Sequence, residues 1–314
     1  MGHLTNEQRY TIGLLLSKSY SQSSIAQLIG KCKSVISREI RRNCKPNGKY
    51  CAKYAQRAAM RKRYLRRKNS KCSPQIVEFI KSKLRCYWSP EQISAVGKRE
   101  MEGMVSTETI YHYIKKDKRQ GGKLYKYLRR SRKYKRLKEY DRNKKQIRDR
   151  TNISQRPKQA NDRTRIGDLE VDLVLGKLNS GAIVSINDRK TGYVKLKYVK
   201  TKRSPEVMKA IIKALRPMKN KLYTLTSDNG REFTQHKTIA KILNIDYYFC
   251  DPYASWQRGS NENLNGLIRQ FYPKGSSFET LTNRKLKIVE NLLNNRPRKR
   301  LNFRSPKDLF FFKP

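Results

Sequence analysis

Isolated acidic residues stand at intervals through the second half of this otherwise basic chain. Asp172 lies within an apolar run, Asp228 follows another, and Glu262 falls near the start of a segment with helical spacing. A charged acid within a buried strand is costly unless a counter-ion compensates for it. Three carboxylates that converge can hold hard divalent cations such as Mg²⁺ or Mn²⁺ through oxygen. Two such ions can activate a water or a 3′-hydroxyl and stabilise the leaving oxygen of a phosphodiester.

The residues alone leave the choice of ligands open. Two-residue alternation along a strand puts Asp168 and Glu170 on the same face as Asp172, so the spacing does not say which of the three binds metal. Asp228, in the sequence Ser-Asp-Asn-Gly, is also compatible with an ordinary turn residue. Glu262 is also compatible with an acid that interacts with the dipole at a helix N-terminus.

The elements that must position these acids follow one another in a distinctive order. Three β-like runs separated by turns predict an antiparallel meander, after which helices and strands alternate. The sequence therefore predicts a mixed five-stranded α/β sheet with the element order of the ribonuclease-H-like fold. The predicted strands are 169–174, 182–188, 193–199, 222–227 and 246–250, and the predicted helices begin at Ser204, at Thr238 and near Ser260.

The charge of the chain indicates a polyanionic partner. There are 74 Lys and Arg residues against 25 Asp and Glu residues, which gives a net charge of +49. A charge of this size repels itself unless a polyanion neutralises it, so nucleic acid is the expected partner, ahead of a ribosomal or membrane-surface role.

A helix-turn-helix is predicted near the start of the chain. Thr5 with Gln8 resembles a capping box, and Ser21 caps a short helix that Gly30 ends. The next helix buries Val35, Ile36 and Ile40, and its outer face is polar and basic. We expect that face to recognise DNA, although a helical hairpin with a solvated basic face gives the same pattern. The expected DNA-contacting residues there are Ser34, Ser37, Arg38, Arg41 and Arg42.

Composition divides the chain into four predicted regions. They are a helix-turn-helix domain at 1–65, a second helical and helix-turn-helix-like DNA-binding region at 66–120, a basic linker at 121–165 and the catalytic domain at 166–314. In the second region Ser89 at the cap and Pro90 at the first helical position favour a helix start. A structural pair of helices explains this region nearly as well as DNA recognition does. The linker is rich in Lys, Arg and Tyr and can grip phosphates along a duplex.

The cysteines and the hydropathy suggest a cytoplasmic protein. The six cysteines form no C-x-x-C pair, and only three histidines are available to assist them, so we expect no zinc site. The sequence contains no apolar run of membrane-spanning length and no segment typical of a signal peptide. We therefore expect a cytoplasmic, nucleoid-associated protein with no membrane partner.

Several longer motifs resemble those of known enzymes. The segment 226–233 (TSDNGREF) resembles the second-Asp motif of retroviral-integrase-like enzymes. The segments 251–253 (DPY) and 256–275 (WQRGSNENLNGLIRQFYPKG) are very similar to the glutamate motif of the insertion-sequence-30 family of bacterial transposases. The segments 294–299 (NNRPRK) and 305–306 resemble the C-terminal tail of that family. The similarity spans nearly the whole chain and includes the spacing from Asp228 to Glu262.

This resemblance has consequences for the site and the reaction. A Trp-Glu-x-Asp pattern in the family matches the segment ending at Asp172, which implies that Asp172, Asp228 and Glu262 are the catalytic metal ligands, with about two ions per site. Leu169, Val171 and Ala254-Ser255 depart from the family pattern but leave all three carboxylates intact. The resemblance further implies double-stranded DNA partners, namely terminal inverted repeats and target DNA, and a homo-oligomer on DNA.

Further DNA contacts are expected from the helix that begins near Ser260. Arg269 lies two turns after Glu262 on the same helix face, where it can hold a phosphate close to the metals. Lys274, Asn261 and Asn265 are additional candidates. A DNA transposase that cleaves 3′ ends and transfers them is the expected function. The alternatives are an inactive, transposase-derived DNA-binding regulator and another ribonuclease-H-like nuclease or integrase.

Overall fold

The computed structural model describes residues 4–68, 72–129, 147, 149–177, 180–252, 254, 257 and 259–312. It comprises two compact units, Met1–Ser73 and Pro74–Pro314. The boundary between them falls after helix α4 (Ala52–Lys68), whereas composition suggested a boundary at residue 65, inside that helix. Most of the basic stretch of the predicted linker, 130–146, lies outside the described residues.

The first unit is helical, with α1 (Asn6–Ser17), α2 (Gln22–Leu28), α3 (Lys33–Asn43) and α4. The capping box of Thr5 and Gln8 is present, and the Ser21 side chain caps α2 as predicted. Gly30 adopts a φ of 65° in the turn before α3, a conformation in which a glycine avoids the clash of a Cβ. The core contains Ile12, Ile25 and Ile36, all fully buried.

The second unit opens with α5 (Pro74–Arg85), α6 (Pro90–Glu100) and α7 (Thr107–Arg119). Ser89 and Gln92 form a capping box at the start of α6, which satisfies backbone donors that a helix start leaves unpaired. The Gln92 side chain also donates to the carbonyl of Pro297 at 2.7 Å. These helices therefore pack against the end of the same unit rather than standing alone.

The sheet formed by the described residues has five strands in the order β3-β2-β1-β4-β5. Strand β1 pairs antiparallel with β2 and parallel with β4, β2 pairs antiparallel with β3, and β4 pairs parallel with β5. This confirms the predicted meander followed by alternating helices and strands. The strands are β1 (Asp168–Leu175), β2 (Ala182–Asp188), β3 (Val194–Val199), β4 (Thr224–Ser227) and β5 (Asp246–Phe249).

Helices cover both faces of the sheet. One face packs on α9 (Ser204–Leu215) and α10 (His236–Leu243), with Val171, Ile211 and Phe233 in the core between them. The other face packs on α11 (Gly259–Phe271) and α12 (Asn283–Asn294) through Val174, Ile268 and Leu286 among others. The remaining helices are α8 (Lys158–Asn161) and α13 (Pro306–Phe311). Helices α12 and α13 were not predicted from the sequence.

The last part of the predicted linker belongs to the sheet domain. Asn152 forms an isolated bridge with Phe249, and Arg156 is buried and donates to the Thr226 hydroxyl at 3.2 Å. Burial lowers the pKa of Arg156 to about 10, with a further contribution from Arg189. Composition indicated a linker because this segment is rich in arginine. It could not show that arginines such as Arg156 are buried close to acidic residues of the sheet domain.

In the part of the chain that the structure describes, no helix is both long enough and apolar enough to cross a membrane.

Candidate active site

The register between β1 and β4 aligns two of the predicted acids. The two strands run parallel, with Asp168 opposite Thr224 and Glu170 opposite Thr226. Continued along the strands, the same register brings Asp172 level with Asp228, which directly follows β4. Neighbouring strands lie about 4.8 Å apart, so Asp172 and Asp228 are neighbours at the same end of the sheet.

The three acids of β1 differ sharply in their surroundings. Asp168 and Glu170 are fully buried, whereas Asp172 is partly exposed. Asp168 accepts hydrogen bonds from Arg165 at 2.9 and 3.0 Å and from the Thr224 hydroxyl at 2.8 Å. Glu170 forms an ion pair with the buried Arg189. Two of the alternating carboxylates are therefore engaged in internal ion pairs, and Asp172 alone reaches partly to solvent.

Asp172 is held in place by a hydrogen-bond network. Its Oδ1 accepts from the backbone N of Leu173 at 2.9 Å, and its Oδ2 accepts from Nδ2 of Asn265 at 2.7 Å. The Ser185 hydroxyl donates to Oδ1 of Asn265 at 3.3 Å and so fixes the orientation of that amide. Asn265 was predicted from the sequence to contact DNA. Its position one helical turn after Glu262 was the signal that it faces the same site.

Asp228 lies in the turn that ends β4. Its Oδ1 accepts from the backbone N of Gly230 at 2.9 Å, as expected of an acid at this point of a turn. The next residue, Asn229, donates to the carbonyl of Cys250 at 2.6 Å and accepts from Arg150 at 2.7 Å. These bonds tie the turn to the end of β5 and limit the positions available to Asp228.

Glu262 lies in the first turn of α11 and is exposed. Among the described residues, no three acidic, histidine or cysteine side chains lie close enough together to hold a metal ion. The β1–β4 register places Asp172 and Asp228 at the same end of the sheet, and Glu262 lies on α11 one helical turn before Asn265, which bonds Asp172. Further along α11, Arg269 donates to the carbonyl of Leu175 at the end of β1, at 2.9 Å.

The segment between β5 and α11 is anchored by a residue that the sequence analysis did not single out. The carboxylate of Asp251 accepts from Asn152 and from Gln257, each at 2.7 Å, and its backbone N donates to Gln257 at 2.9 Å. The side-chain donors Asn152 and Gln257 lower the pKa of Asp251. Residues 253, 255, 256 and 258 of the glutamate motif lie outside the described residues.

The remaining expected DNA contacts differ in their exposure. Lys274 is exposed, but Asn261 is 1% exposed and therefore unavailable to DNA in this structure. In the first unit, α3 buries Ile36 and half-buries Val35 and Ile40, as predicted. Its opposite face exposes all the residues expected to contact DNA, which are Ser34, Ser37, Arg38, Arg41 and Arg42.

A buried ion pair fixes the framework of that first unit. Nε of Arg9 on α1 donates to Glu39 on α3 at 2.7 Å, and both side chains are 9% exposed. The pair ties the helix that carries the polar and basic face to the first helix of the unit. Together, a helix-turn-helix unit and a mixed sheet with acids at the ends of adjacent parallel strands define an enzyme that acts on DNA through a ribonuclease-H-like domain.

Comparison with known proteins agrees with this class. Residues 2–43 match the family of helix-turn-helix domains. The chain is 46% identical over 312 residues to the transposase for insertion sequence element IS4351 of Bacteroides fragilis, which covers 98% of this chain and 95% of the relative. It is 33% identical over 326 residues to transposase InsI for insertion sequence element IS30A of Escherichia coli strain K12, covering 98% of this chain and 83% of the relative.

Among solved structures, the catalytic core domain of BIV integrase aligns with a TM-score of 0.35 and 20% identity, over 45% of this chain and 91% of that one. The sequence relatives settle the family, because they are similar over nearly the full length of both chains. The protein belongs to the insertion-sequence-30 family of DNA transposases. This membership and the helix-turn-helix match imply that it binds DNA and uses divalent metal ions.

Proposed function

We propose that this transposase cleaves DNA at the 3′ ends of the terminal inverted repeats of its element and joins each freed 3′-hydroxyl to target DNA. Asp172, Asp228 and Glu262 are the catalytic residues and metal ligands of this proposal. The observation that carries it is the parallel register of β1 and β4, which makes Asp172 and Asp228 neighbours at one sheet edge. Support for Asp172 over Asp168 and Glu170 comes from the internal ion pairs of the latter two.

The donor chemistry fits Mg²⁺ or Mn²⁺, and we propose two ions per site. Hard divalent ions prefer carboxylate oxygens, and the candidate ligands are all carboxylates. Asp172 and Asp228 would hold the ions from the sheet, and Glu262 would complete the set from the first turn of α11. Bound ions would supply Lewis-acid stabilisation of the attacking and leaving oxygens of the phosphodiester.

The protein's own residues would position the carboxylates and the DNA. Asn265 holds the Asp172 carboxylate in one orientation through a 2.7 Å hydrogen bond. Preorganised ligands of this kind avoid reorganisation during the reaction. Arg269, on the same helix, is the candidate contact for a phosphate near the scissile bond, and Lys274 lies exposed just beyond the helix.

Recognition of the inverted repeats is assigned to α3. Its exposed side chains, Ser34, Ser37, Arg38, Arg41 and Arg42, combine hydroxyl groups with the guanidinium groups that pair well with guanine edges and phosphates. Because an element has two ends to be joined, we also propose that the active form is a homo-oligomer on DNA.

A cleavage and strand-transfer assay tests this proposal. The purified protein is incubated with labelled duplexes that carry the ends of its own element, with Mg²⁺ or with EDTA. We expect Mg²⁺-dependent nicks that leave 3′-hydroxyl ends, followed by joined products, and we expect neither from the D172N variant. DNA binding without any metal-dependent cleavage would contradict the proposal and favour a DNA-binding regulator.

A further inference from the structure

A cavity of about 200 Å³ lies beside α11, away from the catalytic carboxylates. The part of α11 that lines it includes Ser260, Asn263 and Leu267. On a helix with 3.6 residues per turn these positions point away from Glu262 and Asn265. The cavity is closed on its other sides by Arg163, by Arg298 and Arg300, and by β2 and β3.

The cavity is strongly positive. Among its lining residues that the structure describes there is no acid, and none of Arg163, Arg298 and Arg300 forms a salt bridge within the described chain. Arg298 donates to the carbonyl of Leu293 at 3.0 Å, and Arg300 donates to that of Lys190 at 2.8 Å. Carbonyl groups orient a guanidinium without neutralising its charge.

The positive charge continues along the same flank of α11. Arg129 donates to Asn263 at 3.1 Å, and Arg296 donates to Gln270, two turns further on, at 3.2 Å. Arg296 is 3% exposed, and its Nε and one terminal nitrogen have no hydrogen-bond partner. Burying a charged donor without a partner is costly, so Arg296 adds uncompensated positive charge to this flank of α11.

Electrostatic effects among these arginines agree with that conclusion. Burial, together with the neighbouring charges of Arg298 and Arg129, lowers the pKa of Arg296 to about 9. Burial, together with Arg300 and Arg129, lowers the pKa of Arg298 to about 10. Burial and the charge of Arg163 lower the pKa of Arg300, against a smaller opposing effect of Asp188. The cluster therefore repels itself, and an anion would relieve the repulsion.

We propose that Arg163, Arg298 and Arg300 form a binding site for backbone phosphates of DNA that is separate from the catalytic carboxylates, with the exposed Arg129 beside them and the buried charge of Arg296 behind them. The guanidinium groups match phosphate geometry, and the amides of Asn187 and Asn263 and the Ser260 hydroxyl add neutral donors. The first turn of α11 also favours an anion through its dipole. In this proposal α11 carries Glu262 on one side and borders the phosphate-binding site on the other.

The proposal rests on the proposed function only in taking DNA as the ligand, so its test is run in EDTA, where no chemistry occurs. The full-length double variant R163Q/R300Q is compared with wild type, because both side chains are exposed and their replacement leaves the core intact. The matched control is K209Q/K213Q, which removes two exposed positive charges from α9 on the other face of the sheet.

The probe is a labelled duplex of the element end, and its dissociation constant is measured against salt concentration. Each lost phosphate contact reduces the magnitude of the negative slope of log K against log[salt] by about 0.9. We therefore expect this magnitude to fall by about 1 to 2 in R163Q/R300Q and by less in the control. Thermal unfolding monitors folding, and R300K, which retains the charge, is expected to retain the wild-type slope.

A scan with single methylphosphonate substitutions then locates the contact. A neutral linkage at one or two positions should weaken wild-type binding, and the same linkages should have no effect on R163Q/R300Q. A slope equal to that of K209Q/K213Q, with every sensitive position retained, would overturn the phosphate site. Failure of metal-dependent cleavage in the wild type, with these binding results intact, would count against the proposed function alone.

Discussion

The contact between Asn265 and Asp172 gives the most specific prediction about the site. Replacing Asn265 with Ala removes the 2.7 Å hydrogen bond from its Nδ2 to Oδ2 of Asp172. It also removes one of the two acceptors of the Ser185 hydroxyl, the other being the carbonyl of Asp172. The carboxylate itself remains, so the variant should still bind metal and DNA, but with a poorly oriented ligand.

The size of the effect follows from the hydrogen bond. A bond to a charged acceptor contributes about 1.5–3 kcal/mol net, and every 1.4 kcal/mol corresponds to a factor of about ten. If this energy orients Asp172 in the reacting complex, N265A should cleave about 10–100 times more slowly. Loss of a group that orients a metal ligand typically costs about the same factor in metal affinity or activity.

The assay is the initial rate of 3′-end cleavage as a function of Mg²⁺ concentration. We expect N265A to need more Mg²⁺ for half-maximal rate and to bind the duplex in EDTA as wild type does. The control is N295A, whose exposed amide at the end of α12 donates to the carbonyl of Asn291. A wild-type rate and Mg²⁺ dependence in N265A would refute the positioning role of Asn265.

Three further predictions concern stability, recognition and pH. E170Q, which leaves a buried guanidinium uncompensated, should lower the free energy of unfolding by about 3–5 kcal/mol in urea titrations, whereas D172N should change it by less than about 1 kcal/mol. R41Q and R42Q should each weaken duplex binding and reduce the magnitude of the slope of log K against log[salt] by about 0.9. An unchanged slope would show that the replaced arginine does not contact a DNA phosphate. N152A should raise the pKa of Asp251 in carboxyl NMR titrations, because Asn152 donates to its ionised form. The pKa of Asp251 is lower in the folded protein than in the unfolded chain. The hydrogen bond from Asn152 therefore stabilises the fold fully above the unfolded-state pKa of Asp251, and this stabilisation is lost as the pH falls through the folded-state pKa.

The sequence predicted those features of the fold that depend on local patterns. The capping box at Thr5 needs only residues three apart, and the helix start at Ser89 followed from its cap residue and Pro90. The strand positions followed from two-residue alternation and from turn residues such as Gly192, whose φ is 72°. Hydrophobic spacing along α3 likewise separated its buried side from the exposed polar and basic side.

Features that depend on partners distant in the chain were not predictable in the same way. Two-residue alternation put Asp168, Glu170 and Asp172 on one face of β1. It did not reveal that Arg165 forms an ion pair with Asp168 and that Arg189 forms one with Glu170. Asn265 orients Asp172 of β1, and that strand lies far from Asn265 in the sequence. Arg296, which follows α12, entered the sequence analysis only as part of the tail motif 294–299, because composition does not reveal burial.

The central claim is that Asp172, Asp228 and Glu262 together form the catalytic site. The most direct measurement compares D172N, D228N and E262Q with wild type for Mg²⁺-dependent 3′-end cleavage, alongside duplex binding in EDTA. We expect each variant to fold and bind DNA as wild type does and to show no detectable cleavage. Wild-type cleavage by any one of the three, or a folded D168N that is inactive beside an active D172N, would contradict the account.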